Sequence, residues 1–374
     1  MITEVKSKRD LADFIYLPLK LHRRNPNWVP PVYMDEWKFF NPFKNKAFSY
    51  CDTILILAKN DNKVVVGRAM GIIHKGYNEL KGEKTGRFGW FESIDNQGVA
   101  HAMLDYLQEW AKARGMEKLI GPFGFSDKDP QGCLIDGFEH RAVLTTIYHP
   151  PYYRKLIENE GFVKDKDLVE YLIPVPGSIP EFYQQIYDRA MRNHHIRIME
   201  FKRKKELKPY IVPVLQLMNE TFSEIYGSFP LTENEMIELA KEYLPVLDPE
   251  FVKVVIADNG EIVAFIIGMP DVADGLQKAN GRLLPFGIFY ILRAAKKTDK
   301  LVLLLGGIRS DFQGKGLDAL MGIKMLETAT RRKFRIIDSH LELETNFKVR
   351  AEMEKMGGRV AKVFRIYKKS LSGH

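Results

Sequence analysis

A chain of 374 residues with 45% hydrophobic and 28% charged residues is long enough for two cores and too apolar for a disordered segment. Its formal charge of +8 favours anionic partners such as phosphate-bearing ligands. Cys51 and Cys133, the two cysteines, lack metal-ligand spacing, so neither a disulfide framework nor a zinc site is expected, and a reducing cytoplasm fits.

Met1 to Asp10 carries charges and no apolar core, and no run approaches the ~18 apolar residues of a membrane span, so neither targeting nor membrane anchoring is expected. The first strong element is a hairpin, Thr53 to Ala58 returning along Val64 to Ile73, rich in β-branched residues. The strand Arg87 to Ile94 follows, then a helix whose apolar face is Ala100, Met103, Leu104, Leu107 and Ala111, with Asp95 read as its N-cap. A Gly- and Asp-rich stretch at 121–147 is too long for an ordinary connection and is of the kind that covers or lines sites. Asp127, Asp129 and Asp136 within it lack calcium-loop spacing, so no metal is expected.

The run Ile173-Pro174-Val175-Pro176-Gly177 stops regular structure. It divides the chain into 1–177 and 178–374, with a connector helix expected from Ser178 and a capping box completed by Glu181. The dense cations Lys202 to Lys205 lack interleaved aromatics and read as solvated surface, which makes nucleic acid an unlikely partner.

The second half then repeats the first. A hairpin, Val252 to Ala257 and Ile262 to Gly268, matches the earlier one at an offset of 199. A strand, Leu301 to Ile308, precedes a helix with Ala319, Leu320, Ile323 and Leu326 inward and Lys324, Thr328 and Arg331 outward. Helix-ending glycines at Gly161 and Gly357, followed by strands through Tyr171 and Tyr367, repeat at an offset of 196. Gly98 to Gly161 spans 63 residues and Gly316 to Gly357 spans 41, so the 22 additional residues of the first half fall in its long loop.

Between strand and helix the second half reads Gln313-Gly314-Lys315-Gly316-Leu317-Asp318. This resembles the Gln/Arg-x-x-Gly-x-Gly/Ala signature of Gcn5-related N-acetyltransferases (the GNAT superfamily), and the element order is similar across nearly the whole chain. The resemblance implies an α/β (α+β) fold of two tandem GNAT-like domains, each a mostly antiparallel central sheet flanked by helices. It also implies acetyl-CoA or another acyl-CoA bound by Ile308, Arg309, Gln313, Gly314, Lys315, Gly316 and Leu317. A glycine-rich helix N-terminus suits a pyrophosphate because its amides point at an anion without side chains in the way. Asp318 departs from the signature with a carboxylate in the first helical turn. In the first half Asp95 replaces the opening Gln/Arg, so that copy is expected to keep the fold and lose the cofactor.

The resemblance implies direct acyl transfer to an amine, which agrees with the lack of a Gly-x-Ser-x-Gly elbow or a Cys/His pair. The family's tyrosine acid is replaced by Met353 and Ile157; Tyr152 or Tyr153 is an alternative donor. His340, Glu342, Glu344 and Asn346 alternate along one strand face, which places Glu342, Glu344 and Asn346 as candidates for base chemistry. The expected function is therefore an acyl-CoA-dependent N-acyltransferase acting on a small-molecule or peptide amine. Alternatives are an aminoacyl-tRNA-dependent transferase of the peptidoglycan type and a ligand-binding protein without catalysis. Oligomeric state is not legible.

Overall fold

A computed structural model describes residues 1–371 apart from 180, 194, 195, 245 and 246. The first half runs β1 (Ile2–Glu4), α1 (Lys8–His22), α2 (Tyr33–Phe39), α3 (Ala47–Tyr50), β2 (Cys51–Lys59), β3 (Val65–His74), α4 (Lys75–Lys81), β4 (Thr85–Ser93), α5 (Gln97–Lys112), β5 (Lys118–Gly121), β6 (Cys133–Asp136), α6 (Tyr152–Glu158) and β7 (Val163–Pro174). The second runs α7 (Glu181–Asn193), β8 (Ile196–Glu200), α8 (Lys204–Leu207), α9 (Ile211–Thr221), α10 (Glu233–Tyr243), β9 (Val252–Ala257), β10 (Ile262–Pro270), α11 (Ala273–Ala279), α12 (Gly287–Lys297), β11 (Lys300–Ile308), α13 (Leu317–Arg331), β12 (Ile336–Leu343), α14 (Phe347–Lys355) and β13 (Arg359–Ser370).

The two hairpins form where runs rich in β-branched residues meet polar turns. The face of α5 is buried as its period requires, with Ala100, Met103, Leu104, Leu107 and Ala111 fully covered. Its cap differs from the expectation: Asn96, not Asp95, takes the extended N-cap conformation and accepts the Val99 amide at 3.1 Å. Thr328 is the second correction. Instead of facing outward it is buried and accepts Lys253 Nζ at 2.9 Å, a lysine that is itself buried on β9 and also reaches Glu200 at 2.6 Å. A buried ammonium needs acceptors, and Thr328 supplies one. The connector helix begins at Glu181, so Ser178 lies in a bend ahead of it; the N-cap position falls on residue 180, outside the described residues.

Among the described residues the strands of both halves join in one sheet, ordered β1-β2-β3-β4-β5-β13-β7-β12-β11-β10-β9-β8, with β6 beside β13. Each half hands its last strand to the other. β13 pairs with β5 (Tyr367 opposite Gly121) and β7 pairs with β12 (Ile173 opposite Ile337), while β7 and β13 pair with each other at the centre. There Arg365 of β13 holds Asp167 of β7 through two bonds of 2.8 and 3.0 Å. The sequence boundary near residue 177 thus separates segments whose sheets are completed by one another's strands.

Candidate functional site

Among the described residues each half contains one parallel strand pair, and each pair is short. In the first half β4 and β5 match only over Thr85–Arg87 and Lys118–Ile120. In the second, β11 and β12 match only over Lys300–Val302 and Ile336–Asp338. Beyond these residues the partners splay apart. In the second half the cause is local: β12 bulges between Asp338 and Leu341, with His340 in the left-handed region at φ 62°, and then stays with β7 to Leu343. The β11 edge from Leu303 to Ile308 is left facing a cavity of about 1510 Å³, and unpaired strand edges present a row of amide donors and acceptors.

The equivalent edge of the first half is occupied at its end. Tyr153 accepts the Ser93 amide at 3.0 Å, and Tyr152 donates to the Ser93 carbonyl at 2.8 Å. The loop ahead of α5 is likewise occupied, since Gln97 bonds the Leu156 carbonyl at 3.1 Å and Asn159 at 3.0 Å. These two tyrosines, considered from sequence as substitute acids, bond the backbone at the end of β4.

At the end of β11 the chain makes a single 3₁₀ turn and then the loop Gln313–Leu317. Gly314 and Gly316 take φ of 72° and 81°, which a side chain would strain, and a Cβ on Gly314 would meet nothing within 4 Å. Gln313 donates to the Ile308 carbonyl at 3.3 Å, closing the loop on the strand that precedes it. Lys315 lies 4.8 Å from the Phe312 ring centre. Arg309 does not project freely at an anion, because it is bonded to Asp311 at 2.7 and 3.0 Å and to Glu261 at 2.9 Å. Asp318 turns its carboxylate onto the Ala319 amide at 2.9 Å, occupying one of the helix's free donors.

The three polar candidates on β12 and the turn after it part company. Glu342 lines the cavity, and burial pushes its carboxyl up to about 7, against the opposing bond of 3.4 Å from Asn346 Nδ2. Asn346 also lines the cavity. Glu344 does not join them: the strand ends at Leu343, and Glu344 accepts Lys164 at 2.6 Å and the Asp167 amide at 3.2 Å. The expected alternation fails there because the strand ends at Leu343 and the chain turns at Glu344. Burial drives the His340 imidazole down to about 4, so it is neutral at physiological pH. Among the described residues no His, Cys, Asp and Glu cluster suited to a metal occurs.

No family model matches the chain. Two curated proteins align over nearly its full length: "Bacterial ceramide synthase" of Caulobacter vibrioides, 27% identical over 99% of this chain and 97% of that one, and "Protein YghO" of Escherichia coli, 25% identical over 98% and 94%. Among solved structures, a tandem GNAT protein from the clavulanic acid biosynthesis pathway superposes over 100% of this chain and 99% of its own, with a TM-score of 0.57 at 11% identity. A GCN5-related glucosamine N-acetyltransferase region of a fungal β-N-acetylglucosaminidase gives 0.56 over 99% of this chain and 38% of that one. The chain has a tandem GNAT-like fold.

Within this GNAT-like fold the cavity is shared: the long first-half stretch at 121–147 lines it, as its length led one to expect, while the carboxyls and arginine beside it had no sequence signal. Leu144 to His149, from the long loop, line it together with Glu36, Arg68, Glu92 and Asp129. Burial raises Glu36 to about 7, with Arg68 opposing, and raises Asp129 to about 6, with backbone bonds from Ser126 and Phe125 opposing. Burial also pushes Glu92 up, but His22, Arg68 and His149 hold it down to about 2; it accepts His22 Nε2 at 2.7 Å and the Tyr153 hydroxyl at 2.6 Å. Arg68 donates to the Phe14 carbonyl at 2.7 Å, while its buried Nε has no partner. No periodic pattern marks these groups: they come from α1, α2, β3, β4 and two loops, and only the tertiary fold brings them to one chamber.

The residues present fit a coenzyme A thioester in part. The free β11 edge suits the amides of a pantetheine arm, and the glycine turn suits a pyrophosphate; Arg309 and the Asp318 carboxylate add nothing to that fit.

Proposed function

We propose that the protein is an N-acyltransferase that takes an acyl group from acyl-CoA and forms an amide on an amine held in the shared cavity. The observation that carries this reading is the unpaired Leu303–Ile308 edge, which ends in the left-handed glycine turn and opens on the same chamber as Glu342. Bound acyl-CoA would supply the activated thioester. Gly314 and Gly316 would leave room for its phosphates. Glu342, poised near neutrality by burial, would take the proton that an ammonium must lose before it can act as a nucleophile. Asn346 would orient that carboxyl. The cavity would exclude water through Leu303, Leu305, Val214, Leu215, Met218 and Met321.

The same apolar lining favours an acceptor with a long hydrocarbon body. One full-length relative is named a ceramide synthase, and a ceramide is an amide of a long-chain amine, so the name and the lining agree on an acceptor class.

The test is thermal unfolding with coenzyme A thioesters of increasing chain length, followed by thiol release with long-chain amines. At ligand about 100 times the dissociation constant, linkage adds about 2.7 kcal/mol. Since the exchanged strands make one cooperative unit of the chain, this raises the melting temperature by about 3–4 °C. Gly316→Val is expected to abolish the shift and Gly98→Ala to retain it. No shift with any thioester refutes the reading.

A further inference from the structure

Ten residues separate β3 from β4, whereas 29 separate β10 from β11. The surplus builds α11 and α12, a tightly packed helical hairpin: a Cβ on Gly275 would come within 2.6 Å of the Ile291 Cα. α12 buries only Gly287 and Ile291. Its other side, with the turn before it, presents Leu284 (77% exposed), Phe286 (66%), Phe289 (65%) and Leu292 (53%), flanked by exposed Ile288 and Tyr290. A water-facing surface rarely gathers so many large apolar groups in nine residues unless something covers them.

Charge says what covers them. From Gly275 to Thr298 there is no Asp or Glu, and Lys278, Arg282, Arg293, Lys296 and Lys297 are all exposed. On α12 the apolar groups occupy the first turns and the cations the last. Eleven residues make a helix of about 16 Å, about half of the ~30 Å hydrocarbon thickness, so this element cannot span. An apolar end followed by a basic one instead suits a helix that dips its first turns into the interface of an anionic bilayer while its last turn stays among the headgroup phosphates.

The hairpin also adjoins the cavity wall. Gln277 donates to the carbonyls of Pro26 and Trp28, both at 2.7 Å, and the Tyr33 amide donates to the Gly281 carbonyl at 3.0 Å. Trp28, Val29, Pro31 and Val32 of that same segment line the cavity.

We propose that α12 and the turn at 282–286 form a peripheral docking surface for an anionic phospholipid bilayer, with Leu284, Phe286, Phe289 and Leu292 entering the interface and the five cations meeting lipid phosphates. The docking does not depend on the proposed reaction. It would bring the wall of the cavity to the bilayer, the source of any long-chain acceptor.

Flotation of the full chain with phosphatidylglycerol-containing or pure phosphatidylcholine vesicles tests it, beside light scattering of the protein alone. The wild type should float with the anionic vesicles and not with the neutral ones. Phe286→Asp/Phe289→Asp and Lys296→Glu/Lys297→Glu should each lower partitioning by about tenfold or more while keeping the wild-type melting temperature. Overturning results are absent or charge-independent vesicle binding, equal binding by either double variant, or a wild-type dimer that the Phe variant converts to monomer without vesicle binding. The last outcome would make this face a contact between copies.

Discussion

Glu342→Gln removes a charge without changing shape, and its effect has opposite signs on stability and turnover. Burial displaces the carboxyl from an ordinary 4.5 to about 7, which for a fully enclosed group corresponds to about 3.4 kcal/mol. The side chain keeps part of its surface on the cavity, so screening lowers this to about 1–2 kcal/mol. Between pH 4.5 and 7 the folded protein retains a proton that the unfolded chain has released. Stability therefore falls as pH rises through that window, and the loss is complete above it. Glutamine never ionises. Glu342→Gln should match wild type near pH 4 and melt about 1–3 °C higher at pH 8, a difference readable by calorimetry across the pH series. In thiol-release assays the wild-type kcat/KM should rise through pH about 7, whereas the variant should be lower by about 100-fold and lack that limb. A melting difference that does not change with pH would show the carboxyl to be an ordinary solvated one, and the reasoning that makes it a base would fall with it.

Glu344→Gln should leave turnover unchanged and cost less than about 1 kcal/mol, since it weakens only the half-exposed pair with Lys164; a turnover loss equal to that of Glu342→Gln would place the base wrongly. Thr328→Val deprives the buried Lys253 ammonium of one acceptor and should destabilise by about 1–3 kcal/mol in denaturant titration, whereas an outward-facing threonine would give almost nothing. Residues 1–177 and 178–374 expressed apart should each fail to unfold cooperatively, because each lacks the strand that lies beside β5 or β12. Mixing them should restore one transition, and a cooperative melt by either half alone would refute the dependence.

The sequence by itself determined the duplicated order of elements, the hairpins, the buried face of α5 and the glycine turn at Gln313–Leu317. These are local: period, turn chemistry and left-handed glycines act over a few residues and need no partner to be read. It also contained the loop that resembles the GNAT signature for acyl-CoA and, where that resemblance expects a tyrosine, Met353 and Ile157. What only the tertiary structure decided depends on contacts between residues far apart in the chain. The exchange of β7 and β13 is a choice of neighbour, and the two strands carry no periodicity that names it. Thr328 turned inward because a lysine 75 residues away needed an acceptor, which no helical wheel contains. Glu342 and Glu344 share an alternating pattern and separate because the strand ends between them at Leu343, leaving one on the cavity and the other bonded to Lys164. Arg309 fits the loop's motif but is drawn off by Glu261, 48 residues earlier. The same physics made the first-half site illegible: the carboxyls of Glu36 and Asp129 are shifted by burial, and burial is a property of the packed chamber rather than of any segment.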